Sequence, residues 1–214
     1  MKKLLLVAIS MMMAFSGFSQ ALFWDSETPS QRVVLGLRGG VNISNMHVSI
    51  AGLGVGLDSK VGYRFGVSAD FAIVNSLYIN SGLFYSAKGA KGEGNVEDGS
   101  GLVDVTFSPA YIELPVYASY RVNFAEQSQL QINFGPYLAY GTNGKMKAGN
   151  SKENIFGDEG LRRFDAGLGF GAGYTYHRIY FGIEYQLGLA NIADTGGFGK
   201  ITNRNFNISV GYNF

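Results

Sequence analysis

The last ten residues, NFNISVGYNF (residues 205–214), alternate polar and apolar to the final position. Successive side chains of an extended chain point to opposite faces. Phe206, Ile208, Val210, Tyr212 and Phe214 therefore share one face, and Asn205, Asn207, Ser209, Gly211 and Asn213 share the other. Chain ends ordinarily fray into polar residues. Strand periodicity that runs through an aromatic last residue implies a closing strand, one whose free edge has a partner to reach.

The same period recurs upstream. In KVGYRFGVSADFAIV one face carries Val61, Tyr63, Phe65, Val67, Ala69, Phe71 and Ile73, and the other carries Gly62, Arg64, Gly66, Ser68 and Asp70. In RFDAGLGFGAGYTY, Phe164, Ala166, Leu168, Phe170, Ala172, Tyr174 and Tyr176 oppose Arg163, Asp165 and the glycines 167, 169, 171 and 173. Period-2 segments of this kind predict strands over 33–44, 60–74, 77–88, 107–122, 129–142, 163–176, 179–190 and 205–214. The connections alternate in length. Asn75-Ser76, the stretch 123–128 and His177-Arg178 are short, whereas 45–59, 89–106, 143–162 and 191–204 are long and rich in Gly, Asn, Ser and charge. An even number of strands with short turns at one end and long loops at the other predicts an all-β fold, an eight-stranded antiparallel up-and-down transmembrane β-barrel. Each strand has the ~9–11 residues that a tilted bilayer crossing needs.

Composition agrees with that architecture. Of 214 residues, 31 are Gly, 13 Tyr and 16 Phe, and charged residues are 15%. Cys is absent, which excludes disulfides and thiolate chemistry. The formal net charge of +1 gives no footprint for nucleic acid. MKKLLLVAISMMMAFSGFSQA has the basic start, short apolar run and small-x-small site of a cleavable signal peptide. Gly17 and Ser19 place cleavage after residue 19, which gives a signal peptide over 1–19, an N-terminal periplasmic segment over 20–32 and the barrel over 33–214. An uncleaved anchor would need a longer apolar run.

A soluble eight-stranded barrel of the lipocalin kind shares the period but turns its apolar face inward. Here the polar face is mostly Gly, Asn and Ser, whereas a water-facing exterior would be rich in Lys and Glu. The apolar face carries aromatics near strand ends, including Tyr174, Tyr176, Phe181, Tyr212 and Phe214, as the interfacial girdles of a membrane barrel do. On this register the inward face carries Arg38, Arg64, Arg121 and Arg163 against Asp70, Glu113, Asp165 and Glu184. Eight strands enclose just enough room for side chains, so the expectation is a lumen charge network that plugs the barrel; the alternative is a narrow polar channel. The glycine run at 167–173 leaves space for large inward side chains of neighbouring strands. Backbone groups in lipid must all be paired, so the last strand must meet the first.

Three stretches, VLGLRGGVNISNM, FGVSADFAI and AYIELPVYASYRV, resemble the small outer-membrane β-barrel proteins of Bacteroidetes, the PorT-like group. The matching positions are Gly40, Asn42 and Ser44, then Glu113 and Pro115, then the terminal Phe214. The resemblance covers the mature chain and implies an OmpX-like barrel of the outer membrane, without the further domain that follows the barrel in OmpA. It also implies that Tyr212 and Phe214 form a C-terminal signal read by the barrel-insertion machinery. Its members differ in function, so a membrane-structural role, an interaction role, a porin and a secretion accessory all stay open. The implied partners are outer-membrane lipid and lipopolysaccharide, with an extracellular ligand or protein at the four long loops.

Enzymatic chemistry finds little support. His47-Val48-Ser49 is similar in spacing to the His-x-Ser of lipid A deacylase barrels, but a triad needs an acid held in place. The nearest downstream acid, Asp58, lies across the glycine-rich AGLGVGLD. His177 sits in a turn. GLGFGAG at 167–173 lies inside a strand with no helix after it, which fails the context of a dinucleotide loop. Asp25, Glu27, Glu93, Glu97, Asp98 and Asp104 match no metal-loop spacing. No catalytic residue, metal site or cofactor is expected.

Overall fold

The structure, a computed structural model, describes residues 31–50, 53–95, 102–125, 127–149, 151–156, 160–193 and 199–214. The signal peptide expected over 1–19 and nearly all of the segment 20–32 lie outside the described residues.

Eight long strands form the wall: β1 (Val33–Ile50), β3 (Asp58–Val74), β4 (Leu77–Ala87), β6 (Leu102–Ala125), β7 (Ser128–Ala148), β9 (Phe164–Tyr176), β10 (Ile179–Gly188) and β11 (Lys200–Asn213). Each pairs antiparallel with its sequence neighbour in that series. β11 then pairs with β1, from Gly36 opposite Asn213 to Ser49 opposite Lys200, so the sheet closes without an edge. The Phe214 N–H donates to the Leu35 carbonyl at 2.9 Å, which carries the closure to the last residue. A closed barrel satisfies the lipid-exposed backbone that an open sheet would strand.

The short connections are at 75–76, 126–127 and 177–178, at one end of the barrel. At the other end the strands outrun their expected limits. Short strands β2 (Leu53–Gly56), β5 (Ala90–Asn95) and β8 (Ser151–Asn154) extend three of the four long connections as hairpin. Gly89, with φ of 154°, marks the kink at which β4 passes into β5, a conformation that L side chains rarely adopt.

The exterior is apolar. Val61, Phe65, Val67, Ile73, Leu83, Ile132, Phe134, Phe170, Phe181, Ile183, Ile208 and Val210 all point outward, and Val61 is 68% exposed. Rings gather at both rims: Tyr63, Phe65 and Tyr85 pack together at the long-loop end, while Phe124 stacks on Tyr174 and Tyr212 meets Phe214 edge-on at the short-turn end. Arg38, Asp70, Glu113, Asn42 and Asn207 are buried inside. This polarity is the reverse of a lipocalin and suits a barrel whose solvent is lipid. Among the described residues no helix is long and apolar enough to cross a membrane; the strands do so.

Candidate functional site

The lumen is filled in tiers. Nearest the short turns, Arg121 of β6 pairs with Asp70 of β3 at 2.8 Å and lies over the Tyr78 ring at 4.1 Å. Asn80 of β4 donates to the same carboxylate, and Arg38 of β1 covers the Tyr180 ring of β10 at 3.9 Å.

In the middle tier Arg64 of β3 bridges two carboxylates. Its Nε is 3.2 Å from Glu113 of β6 and its Nη1 3.1 Å from Glu184 of β10, so the contact crosses the barrel. Glu184 also accepts from the Tyr117 hydroxyl at 3.2 Å and the Gln186 amide at 2.8 Å. Above it, the Lys88 ammonium pairs with Glu113, stands 4.0 Å from Asp165 of β9, and faces the rings of Tyr137 and Tyr111. Asp165 accepts from Asn203 at 2.9 Å and from the Tyr137 hydroxyl at 3.4 Å. Buried charges persist only when they are compensated: Glu113 faces both Arg64 and Lys88, and Asp70, Glu184 and Asp165 each combine a cation with side-chain hydrogen bonds.

An asparagine cluster ties the seam. Asn205 and Asn207 of β11 donate to the Asn42 side-chain oxygen of β1, at 3.1 and 3.0 Å, and Asn42 donates onward to Ser86 of β4 at 2.9 Å. Ser44 accepts from the Gly89 N–H at 2.8 Å. Glycines of β9 make room for rings: a Cβ on Gly167 would lie 2.8 Å from Tyr137, one on Gly169 would overlap the Tyr117 hydroxyl, and one on Gly173 would lie 2.5 Å from the Tyr180 ring.

The long-loop mouth is closed by apolar residues. Ile155, Phe156, Leu161 and Ile192 come from connections, join Met46, Ala90 and Tyr111, and are packed by Leu57, Phe107 and Ile201. Phe156 meets Tyr111 edge-on at 5.9 Å. The Leu161 N–H donates to the Ile155 carbonyl at 2.7 Å, folding that segment back on itself. Beneath this cap the mid-lumen keeps a cavity of about 30 Å³ lined by Arg38, Arg64, Asn80 and Glu184. A polar vestibule of about 400 Å³, with Arg121, Gln129 and Arg178 among its walls, opens at the short-turn end.

Seven of the eight charges placed inside by sequence are in the lumen: Arg38, Arg64, Asp70, Glu113, Arg121, Asp165 and Glu184. Arg163 is not. β9 begins at Phe164, and β7 carries a register shift beside Gly141, which leaves carbonyls free. The exposed Arg163 donates to Gly141 and Thr142 carbonyls at 2.9 and 3.3 Å and lies 5.2 Å over Phe156, at the rim. Its place in the charge balance is taken by Lys88, which the sequence reading missed. The signal was present, because Lys88 has the parity of Tyr78, Asn80, Phe84 and Ser86 on β4.

His47 and Ser49 lie on the β1 extension, with His47 opposite Gly56 and Thr202, while Asp58 stands opposite Lys91. Among the described residues no hydrogen bond joins the three. Glu93 stands opposite Asp104 in the β5–β6 ladder; Asp25, Glu27, Glu97 and Asp98 lie outside the described residues. Among the described residues no three metal-ligating side chains gather. His177 is exposed in its turn with φ of 54°. Tyr212 and Phe214 face outward at the rim, ring centroids 5.5 Å apart.

The family model of the outer membrane protein beta-barrel domain matches residues 18–194. No curated protein matches significantly. Among solved structures, Ail, the attachment invasion locus protein of Yersinia pestis, is 15% identical, covering 86% of this chain and 100% of that one with a TM-score of 0.41. Neisserial surface protein A is 14% identical over 84% and 97% with a TM-score of 0.44. OprG from Pseudomonas aeruginosa is 12% identical over 89% and 99% with a TM-score of 0.48.

Proposed function

The chain belongs to the outer membrane protein beta-barrel domain family and resides in the outer membrane, and from that premise we propose a non-conducting barrel with a membrane-structural or surface-interaction role. The observation that supports this reading is the pair of side-chain clusters that fill the lumen. Arg64 spans the middle tier between Glu113 and Glu184, and Ile155, Phe156, Leu161 and Ile192 close the mouth above it. An interior filled by side chains is what eight strands favour. Partners would then be met at the long connections over 45–59, 89–106, 143–162 and 191–204. The PorT-like resemblance adds a Bacteroidetes source and the possibility of secretion service to the same reading. A lipid A-modifying activity lacks an assembled His47–Ser49–Asp58 set to support it.

The test is single-channel recording of the refolded barrel in a planar bilayer, after a heat-dependent gel shift has shown that it is folded. Electrical silence is the expected result. Discrete steps that change with Arg64→Ala would overturn it and make a narrow porin the reading, since a polar vestibule lined by Arg121 already opens at the short-turn end.

A further inference from the structure

The β7–β8 hairpin stands above the upper aromatic rim and is two-faced. Lys145 is opposite Asn154 and Lys147 opposite Lys152, so these four share one face; Met146 is opposite Glu153 and Ala148 opposite Ser151, so those share the other. Met146 is in turn opposite Phe107, which packs against the apolar cap, so the Met146 face is the inner one. The outer face therefore carries three exposed lysines and no acid. Like charges placed directly opposite on paired strands repel, and Lys147 and Lys152 are such a pair. All five salt bridges among the described residues lie in the lumen, and none uses these lysines.

Continuing around the wall, Lys147 is opposite Thr106, which is opposite Lys91 of β5. The nearest described acids are Asp104, two residues from Thr106 on the same side of β6, and Glu153, on the inner face of the hairpin, while Asp58 faces Lys91. None of them stands directly opposite Lys145, Lys147 or Lys152.

Height selects the occupant. Tyr140 of the upper rim is opposite Ile112, and Lys145 is opposite Ser108. Four residues of rise put Lys145 about 13 Å along the strand above Tyr140, and Lys147 two residues further. That is the level of the headgroups rather than of bulk solvent, and a lysine stem lets its ammonium reach lower still. Anionic headgroups attract such clusters. We propose that Lys145, Lys147 and Lys152 form a docking face for the phosphate groups of the outer-leaflet glycolipid, which clamp the β7–β8 hairpin to the membrane surface. The site rests on the outer-membrane placement and is independent of whether the lumen conducts.

The full-length barrel is purified from cells in mild detergent, reconstituted in nanodiscs containing phosphorylated lipid A or its dephosphorylated form, and its bound lipid is counted by mass spectrometry. Wild-type protein should retain the phosphorylated lipid at least tenfold over the dephosphorylated one, and K145Q/K147Q/K152Q should lose that preference while keeping its heat-dependent gel shift. Equal retention of the two lipids by wild type, or unchanged preference in the triple variant, would overturn the proposal. Inorganic phosphate is the second arm: competition at micromolar concentration would reassign the face to free phosphate and overturn the lipid assignment, whereas none below millimolar concentration supports it. Arg178→Gln, at the opposite rim, serves as the basic-residue control and should leave the preference intact.

Discussion

Replacing Lys88 by methionine tests whether the lumen is a dry network or a wet one. The side chain is fully enclosed, pairs with Glu113 and stands 4.0 Å from Asp165. With it, four cations (Arg38, Arg64, Lys88 and Arg121) balance four carboxylates (Asp70, Glu113, Asp165 and Glu184). Without it the interior carries one surplus negative charge, and Asp165 keeps only the neutral donors Asn203 and Tyr137. Two unit charges 4 Å apart interact by about 4 kcal/mol at the effective dielectric of most protein sites. Removing one partner of a buried pair costs about 3–5 kcal/mol, whereas the same loss in a hydrated pore costs about 0–1 kcal/mol.

The assay is urea unfolding of the barrel in detergent micelles, followed by circular dichroism and the gel shift. With a slope of about 2 kcal/mol per molar urea, the midpoint should fall by about 2 M in Lys88→Met. The neutral double variant Lys88→Met/Glu113→Gln should recover most of that loss, because it removes both ends of the pair. A midpoint shift below about 0.5 M, within the range of an exposed pair, would refute the dry network. So would a double variant as unstable as the two single losses added together, since that would mean that the two groups do not interact.

Three further outcomes follow from the same geometry. Phe156→Ala, a buried large-to-small change worth about 3 kcal/mol, should loosen the cap locally: deuterium exchange at the Leu161 amide should rise about a hundredfold while amides of β9 and β10 stay protected. Gly169→Ala puts a methyl against Tyr117 and should cost about 1–3 kcal/mol by overpacking, with part recovered by Tyr117→Leu in the same chain; an unchanged urea midpoint would show that the ring has somewhere else to go. Deleting Phe214 should lower the fraction of heat-modifiable barrel that reaches the outer membrane in cells, while the refolded protein loses no more than about 1 kcal/mol; equal insertion with and without Phe214 would remove its role as a signal.

The ring and its polarity were legible because period 2 is a local property. Any stretch such as 61–73 assigns its own inside and outside once one face is known to be lipid. The inward parity of Arg64, Asp70, Glu113 and Asp165 followed, and the same parity reached Lys88, the last residue of the expected strand 77–88, although the inward set read from sequence omits it. Arg163 failed for the opposite reason: the parity was extended one residue past the point where β9 starts, and a side chain beyond the ladder is free to turn to the nearest open carbonyls. The cap left no signal, because Ile155, Phe156, Leu161 and Ile192 are isolated apolar residues in connections without a period. What makes them a core is the mouth they fill, which exists only after the eight strands have closed.

The residues that carry the PorT-like resemblance converge on that closure. Asn42 of β1 holds Asn205 and Asn207 of β11 on one side and Ser86 of β4 on the other. Ser44 receives the Gly89 N–H at the kink into β5. Gly40 passes so close to the Ile208 carbonyl that a Cβ there would displace the last strand. Glu113 is the shared carboxylate of Arg64 and Lys88. Every one of these positions fastens the wall or fills it, and none presents a group to solvent. A pattern shared for such reasons specifies how the barrel closes and is silent on what it meets. The docking face proposed above lies elsewhere, beyond the rim, on the outward face of β7 and β8. Exchanging residues 143–162 for those of a relative should accordingly change what the barrel binds and leave its unfolding midpoint within about 1 kcal/mol equivalent, whereas exchanging residues 40–44 should do the reverse.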